Sequence, residues 1–407
     1  MLRSNFFLFL GVNILTLPFT FFAVNSLLSI EYGGAENSSS YLIAILFSAL
    51  PFYIILLKRL LLRRRISFAS LILAVPLLLI LDAVLVLIFS DLETDKFIYQ
   101  FLLLVLPAFL FGMELARKEF TSSISRPLLT VALIVTASVA ALVPKMLLIP
   151  TNELMTFFGG GHYQAFSYSV SLSFLITLIY YLFYIKDARR ITNVMFIILF
   201  IIQIAGIVMS GGRGGIGVVV IGTIVVLLIK YSFFKFIKIF LITVATAICL
   251  SGVVVINLEE GYADRVFESA GRLISFISVD GFDFEQTSNR ESVYSETAEI
   301  IGDSPLYGYG IFGYLKETKG GYPHNFVLEI LLQGGVLFLA IWSALFFVFL
   351  IKFSRLVRFG NNHKFLLATF IYSFVQLMFS ATYLLEPFFW FNLAYVFTAS
   401  TKTCIEQ

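Results

Sequence analysis

Residues 191–230 read ITNVMFIILFIIQIAGIVMS, then GGRGG, then IGVVVIGTIVVLLIK. Each apolar run is close to the roughly 20 residues that a helix needs to cross a hydrocarbon core about 30 Å thick. Neither run alternates apolar and polar positions over about ten residues, as the strands of a membrane β-barrel do. The stretch reads as two transmembrane helices joined by a turn of glycines around Arg213.

The same reading extends in both directions. Apolar runs at about 5–30, 41–57, 66–90, 97–115, 128–149, 165–185, 191–210, 214–230, 236–257, 326–351, 365–382 and 386–401 predict an all-α polytopic protein with about twelve transmembrane helices. Tyr383, Glu386 and Pro387 interrupt the last two. Composition agrees: 59% of residues are hydrophobic and 13% charged, against about 45–50% and 25% in a soluble domain. The first run is longer than a signal-peptide core and lacks a small-residue cleavage site, so it is expected to stay in the mature protein.

Basic loops are retained on the cytoplasmic side. With the N-terminus inside, most of the 28 Lys and Arg fall there, including Arg63, Arg64 and Arg65, Lys186, Arg189 and Arg190, and Arg355 and Arg358. The outer side receives Lys96, Lys145, Arg213, Arg265, Arg272, Arg290, Lys316 and Lys319 with most of the acids. Both termini are expected inside. The spread of basic residues over short loops has this topological cause and gives no reason to expect a nucleic-acid partner. Cys249 and Cys404 form no metal or disulfide framework.

Three regions follow: spans one to nine in 1–257, a polar outer loop in 258–325, and the last spans with a cytoplasmic C-terminus in 326–407. A connection as long as the outer loop is usually functional or disordered. This one is not low-complexity. It holds an amphipathic stretch from Arg265 to Ile277 and a predicted helix from Arg290 to Ile301, which stops at Gly302, Asp303, Ser304 and Pro305. The following YGYGIFGYLKETKGGYP is expected to be irregular and to lie against another surface.

Few residues can carry chemistry. Arg213, in SGGRGG at the outer face, admits two readings: glycines and a guanidinium fork that bind a phosphate, or a tight turn whose Arg snorkels to headgroups. Arg290 opens the loop helix, where a cation opposes the macrodipole; it is either an anion ligand or one half of a salt bridge. His324, in Tyr322-Pro323-His324-Asn325 just before the tenth span, has the side chain suited to proton transfer near neutral pH, with Asn325 placed to orient its ring. Asp82 is an ionisable group inside a span. Asp280, Asp283 and Glu285 lack the spacing of a calcium loop, and His162 has no zinc-ligand companion. No resident metal or cofactor is expected.

The order of these motifs resembles the O-antigen polymerase and O-antigen ligase superfamily. The resemblance is carried by SGGRGG, by R-x-x-x-Y and SPLYGYGIFGY between Arg290 and Tyr314, and by HNFVLEILLQGGVLF from His324 to Phe338. It implies a GT-C-type glycosyltransferase of the bacterial inner membrane with its active site facing the periplasm. It implies transfer of a glycan from undecaprenyl diphosphate without a metal, with Arg213 and Arg290 on the diphosphate and His324 as general base. Asn325, Tyr294, Tyr314 and Tyr322 would then contact substrate. Tyr307, Tyr309 and Phe312 join Tyr314 and Tyr322 as aromatics that either stack on sugar or pack the loop.

The implied partners are lipid-linked oligosaccharide donor and acceptor, membrane lipids and a chain-length regulator protein. The form of the motifs looks more like polymerases than ligases, which use lipid A core as acceptor. A transporter of lipid-linked glycan would share the hydropathy, but it should show an internal repeat or several mid-membrane charges.

Overall fold

The computed structural model describes residues 2–27, 39–62, 73–90, 94–117, 124–148, 162–185, 189–210, 212–231, 234–235, 237, 277–278, 281–282, 290–318 and 322–399. The stretch 265–276, the side chain of His162, and Asp280, Asp283 and Glu285 lie outside them, as does most of the expected ninth span. The described chain is helical apart from a two-residue ladder, Ile277–Ser278 (β1) against Gly281–Phe282 (β2).

Seven described helices are long and apolar enough to cross a membrane: Tyr41–Lys58, Phe97–Arg117, Ser125–Leu142, Tyr163–Tyr184, Arg190–Ser210, Arg213–Lys230 and Phe326–Arg358. Helices suit this setting because they satisfy every backbone group within the segment. The chain is a multi-pass membrane protein.

The chain divides into two compact units, one of Met1–Leu17, Ser39–Pro127 and Phe284–Gln407 and the other of Pro18–Ser38 and Leu128–Asp283. The division falls within α1 (Leu2–Leu27) at Pro18.

In the first unit, α1 meets α2 (Ser39–Leu62) and a long helix made of α4 (Asp95–Gln100), a π turn at Phe101–Val105 and α5 (Leu106–Arg117), with α3 (Ala74–Phe89) before it. Phe7, Phe52 and Phe111 cluster with ring centroids 5.3 to 5.8 Å apart. Gly11 lies so close to Phe111 that a Cβ would collide with the ring.

The C-terminal helices of this unit are α12 (Phe326–Phe359), α13 (Phe365–Phe379) and α14 (Pro387–Thr398). At 1.5 Å per residue α14 is about 18 Å long, short of the hydrocarbon thickness. It packs along α5 with Gly112 against the backbone of Phe391. The α13–α14 connection is itself buried, and Trp390 Nε1 donates to the Tyr383 carbonyl at 2.7 Å. Tyr383, Glu386 and Pro387, which interrupt the hydropathy, thus form a packed turn in which Glu386 caps α14 through the Phe388 N–H at 3.2 Å.

In the second unit α6 (Ser125–Leu148), α7 (His162–Ile179, continued by a π turn), α8 (Arg190–Ser210) and α9 (Arg213–Lys230) pack together. Small residues let apolar helices approach closely and polar ones join them. Ser167, Ser169, Ser171 and Ser173 all lie buried on α7, and Gln203 on α8 donates to Thr136 on α6 at 2.7 Å and to Thr177 on α7 at 3.1 Å.

Candidate functional site

The decisive local feature lies in α12, which the sequence presents as one apolar run. Its helix breaks at Gly334 (φ −142°, ψ 18°) and Gly335 (φ 63°, ψ −162°). The Gly335 conformation is essentially closed to residues with a Cβ. A break strands backbone groups that an apolar environment cannot solvate.

The preceding loop, from Pro305 to Gly310, supplies their partners. Tyr309 N donates to Leu332 O at 2.9 Å, Gly310 N to Gln333 O at 2.8 Å, and Val336 N to Pro305 O at 2.8 Å. Gly308, at φ 63°, abuts the backbone of Leu332 to Gly334, and Gly335 abuts that of Pro305 and Leu306. Thus PLYGYG and QGG are two halves of one joint. The expectation that the Gly-rich run lies against another surface is met by named hydrogen bonds, and its end folds further into α11 (Gly313–Thr318).

At the start of α12, Asn325 is the N-cap. Its Oδ1 accepts from the N–H groups of Val327 at 3.0 Å and Leu328 at 3.2 Å, so its side-chain oxygen serves the helix end, whereas the sequence suggested that it orients the His ring. Asn325→Ala should cost about 1 kcal/mol of stability and Asn325→Asp much less, measured by thermal unfolding in detergent.

His324 precedes the cap with a positive φ of 55°, uncommon for a residue with a side chain and a mark of local strain. The Tyr322 hydroxyl donates to the Ser380 carbonyl at 2.9 Å, and His324 Nδ1 lies 3.3 Å from the same oxygen. The two rings meet edge to face, 4.4 Å apart. A carbonyl oxygen only accepts, so a hydrogen bond here is donated by Nδ1, and in the neutral ring that tautomer leaves the lone pair to Nε2.

Beside this corner is a cavity of about 230 Å³. Phe97, Phe312, Tyr314, Tyr322 and Pro323 form apolar walls; Glu329, Gln333 and Thr382 supply polar lining. Glu329 is 2% exposed. Its Oε1 accepts from the Thr382 hydroxyl and from Gln333 Nε2, while Gln333 Oε1 accepts from the Tyr383 hydroxyl. Glu329 Oε2 is buried with no hydrogen-bond partner among the described residues. Sequence reasoning read Glu329 only as part of the polymerase-like form of the motif and gave Glu329, Gln333 and Thr382 no place in the site. The readable signal was an acid and an amide four residues apart, on one helix face, inside an otherwise apolar run.

The other candidate residues are placed as follows. Arg290 is the first described residue of α10 (Arg290–Asp303), which packs against α12 and runs two residues past the expected end at Ile301; its side chain lies outside the described residues. Tyr294 is half-buried on α10, and Tyr314 and Tyr322 line the cavity. Asp82 is half-buried on α3.

Arg213 belongs to the second unit, half-buried as the first residue of α9 after an extended Gly212. The glycines around it have a packing role. A Cβ on Gly212 or Gly215 would strike Ser167, and one on Gly214 would strike Tyr168. Ser167 Oγ donates to Gly212 O at 2.9 Å. SGGRGG is therefore the close contact of α9 on α7, with Arg213 at the helix N-terminus.

Residues 198–343, from α8 into α12, match the family model described as O-antigen ligase. The match supports a place for that segment in the O-antigen polymerase and ligase superfamily. The matched segment contains Arg213, Arg290, His324, Asn325 and the Gly334–Gly335 break, so it holds both halves of the joint as well as the strained histidine. No curated protein and no solved structure matches the chain significantly.

Proposed function

We propose that the protein is a surface-polysaccharide polymerase of the bacterial inner membrane, with a GT-C-type architecture, both termini in the cytoplasm and its site facing the periplasm. It moves a glycan from undecaprenyl diphosphate to the terminal sugar hydroxyl of another lipid-linked repeat unit. The observation that carries this reading is His324, at a positive φ before α12 with Nδ1 against the Ser380 carbonyl, a placement in which the neutral ring keeps its lone pair on Nε2.

In the reaction, the acceptor hydroxyl oxygen forms a bond to the anomeric carbon while the bond from that carbon to the diphosphate oxygen breaks. The hydroxyl proton passes to His324 Nε2, and undecaprenyl diphosphate leaves with the electron pair. One displacement inverts the anomeric centre. Arg213 and Arg290 bind the diphosphate and stabilise the charge that grows on it. Asn325, Tyr294, Tyr314 and Tyr322 stand along the acceptor path, and a chain-length regulator protein is the expected partner.

If Arg213 acts as a planar fork on phosphate, Arg213→Ala should lower turnover at least about 100-fold, the loss expected for a main charge-stabilising donor, and Arg213→Lys should recover little of it. Turnover by properly inserted Arg213→Ala within a few-fold of wild type removes it from the diphosphate site. EDTA should leave the rate unchanged, because the two guanidiniums take the role a divalent ion would have; strict dependence on an added ion would contradict the clamp.

Ligase is the second reading, because the family that residues 198–343 match is described as O-antigen ligase and does not separate the two activities. The acceptor decides between them. Purified protein given only its lipid-linked repeat unit should produce a ladder of longer lipid-linked chains, resolved on a gel. Transfer that occurs only when lipid A core is added would make it a ligase.

A further inference from the structure

The reaction above leaves the polar lining of the 230 Å³ cavity without a role. Three features of the cavity point one way. Four aromatic rings, Phe97, Phe312, Tyr314 and Tyr322, line it beside aliphatic side chains, and such rings pack against the C–H faces of a sugar ring. Thr382 and Gln333 both donate to Glu329 Oε1, the backbone N–H of Tyr383 also faces the carboxyl, and Oε2 is buried with no partner at hydrogen-bond distance among the described residues. A purely structural network would gain by pairing that oxygen, since an unsatisfied buried acceptor is destabilising. Third, Tyr322 is both a wall of the cavity and the ring against His324, so a group bound there lies beside the histidine corner.

Resting on the polymerase reading, we propose that this cavity is a subsite for one sugar ring of the acceptor glycan, held by a ring hydroxyl on Glu329 Oε2. Pockets for drug-sized molecules run to roughly 300–1,000 Å³, so a space of about 230 Å³ fits a single ring rather than a whole repeat unit. The carboxyl also selects. A neutral or amino sugar can approach it, whereas a uronic acid would have to bring its own carboxylate out of water into a largely apolar space beside an acid. Glu329 is thus a specificity-determining residue, and Gln333 and Thr382, which both donate to its Oε1, are positioning residues.

The test uses the full-length protein in detergent, with the repeat-unit oligosaccharide freed of its lipid as the binding probe and the lipid-linked repeat unit as the substrate. Wild type should bind the free oligosaccharide saturably. Glu329→Met, which keeps the length of the side chain and removes both oxygens, should weaken that binding about tenfold and raise KM for the lipid-linked acceptor by a similar factor, with kcat within about twofold, as expected for one lost hydrogen bond to a buried acceptor. Glu329→Gln, which retains an acceptor for Thr382 and Gln333, should fall between them and lose discrimination against a uronate-bearing oligosaccharide.

No saturable binding to wild type would overturn the subsite, as would unchanged binding and KM in folded Glu329→Met. If neither variant folds, the wild-type binding measurement and the uronate comparison still decide. Binding that depends on Glu329 in a protein that makes no glycosidic bond would retain the sugar site and reject the polymerase reading.

Discussion

His324→Ala should lower turnover by about 10²- to 10⁴-fold, the usual contribution of a positioned general base, while the protein inserts, folds and binds lipid-linked substrate as wild type does. The ring makes its described contacts with Ser380 O and Tyr322, both within the first unit. Alanine keeps the Cβ and with it the strain of φ 55°, so the loss of stability is expected to be confined to these side-chain contacts. Tyr322→Phe is the companion variant. It keeps the ring against His324 and deletes only the hydroxyl that donates to Ser380 O. A smaller loss, about tenfold, is expected from looser positioning, on the scale of one net hydrogen bond. Single-turnover rates with saturating lipid-linked repeat unit measure both. Near-wild-type turnover in His324→Ala removes the histidine from proton transfer.

Gly335→Ala should be the most destabilising single methyl addition at the α12 break. Its backbone lies in a region costing about 1–3 kcal/mol for a residue with a Cβ, and the added carbon would also run into the Pro305–Leu306 backbone, which cannot rotate away. Gly310→Ala separates the two effects. It has φ 88° but open space around the added carbon, so strain alone should cost about 1–2 kcal/mol. Gly302→Ala, inside α10 with nothing near the added carbon, should be neutral or stabilising by up to about 1 kcal/mol. Thermal unfolding of the purified variants checks the order, and Gly335→Ala with the stability of Gly302→Ala would mean that α12 is not held broken by the loop.

These residues show what the sequence could and could not reveal. The transmembrane helices were legible because hydropathy over about 20 residues is a sum that individual side chains barely disturb. The start of α12 was legible too, since an Asn ahead of an apolar run is an N-cap signal. The break at Gly334–Gly335 was not. A glycine in an apolar run lowers the hydropathy sum very little, and the groups that satisfy the broken helix lie 23 or more residues earlier, at Pro305 to Gly310.

The same limit applied to SGGRGG. Local spacing left an anion site and a turn equally open, because Ser167 and Tyr168, which give the glycines their packing role, are more than 40 residues away. Glu329 went unassigned for a related reason. Its bond from Gln333 lies at a local spacing, but the bond from Thr382, 53 residues on, is legible only once Thr382 is known to face α12.

The most direct test of the glycosyl-transfer account is stoichiometric. Purified protein in EDTA, supplied with the lipid-linked repeat unit alone, should release one undecaprenyl diphosphate for every glycosidic bond formed, with the new linkage inverted relative to the donor. Consumption of the repeat unit with retention at the anomeric carbon, or folded protein that forms no bond with either a lipid-linked or a lipid A core acceptor, would contradict it.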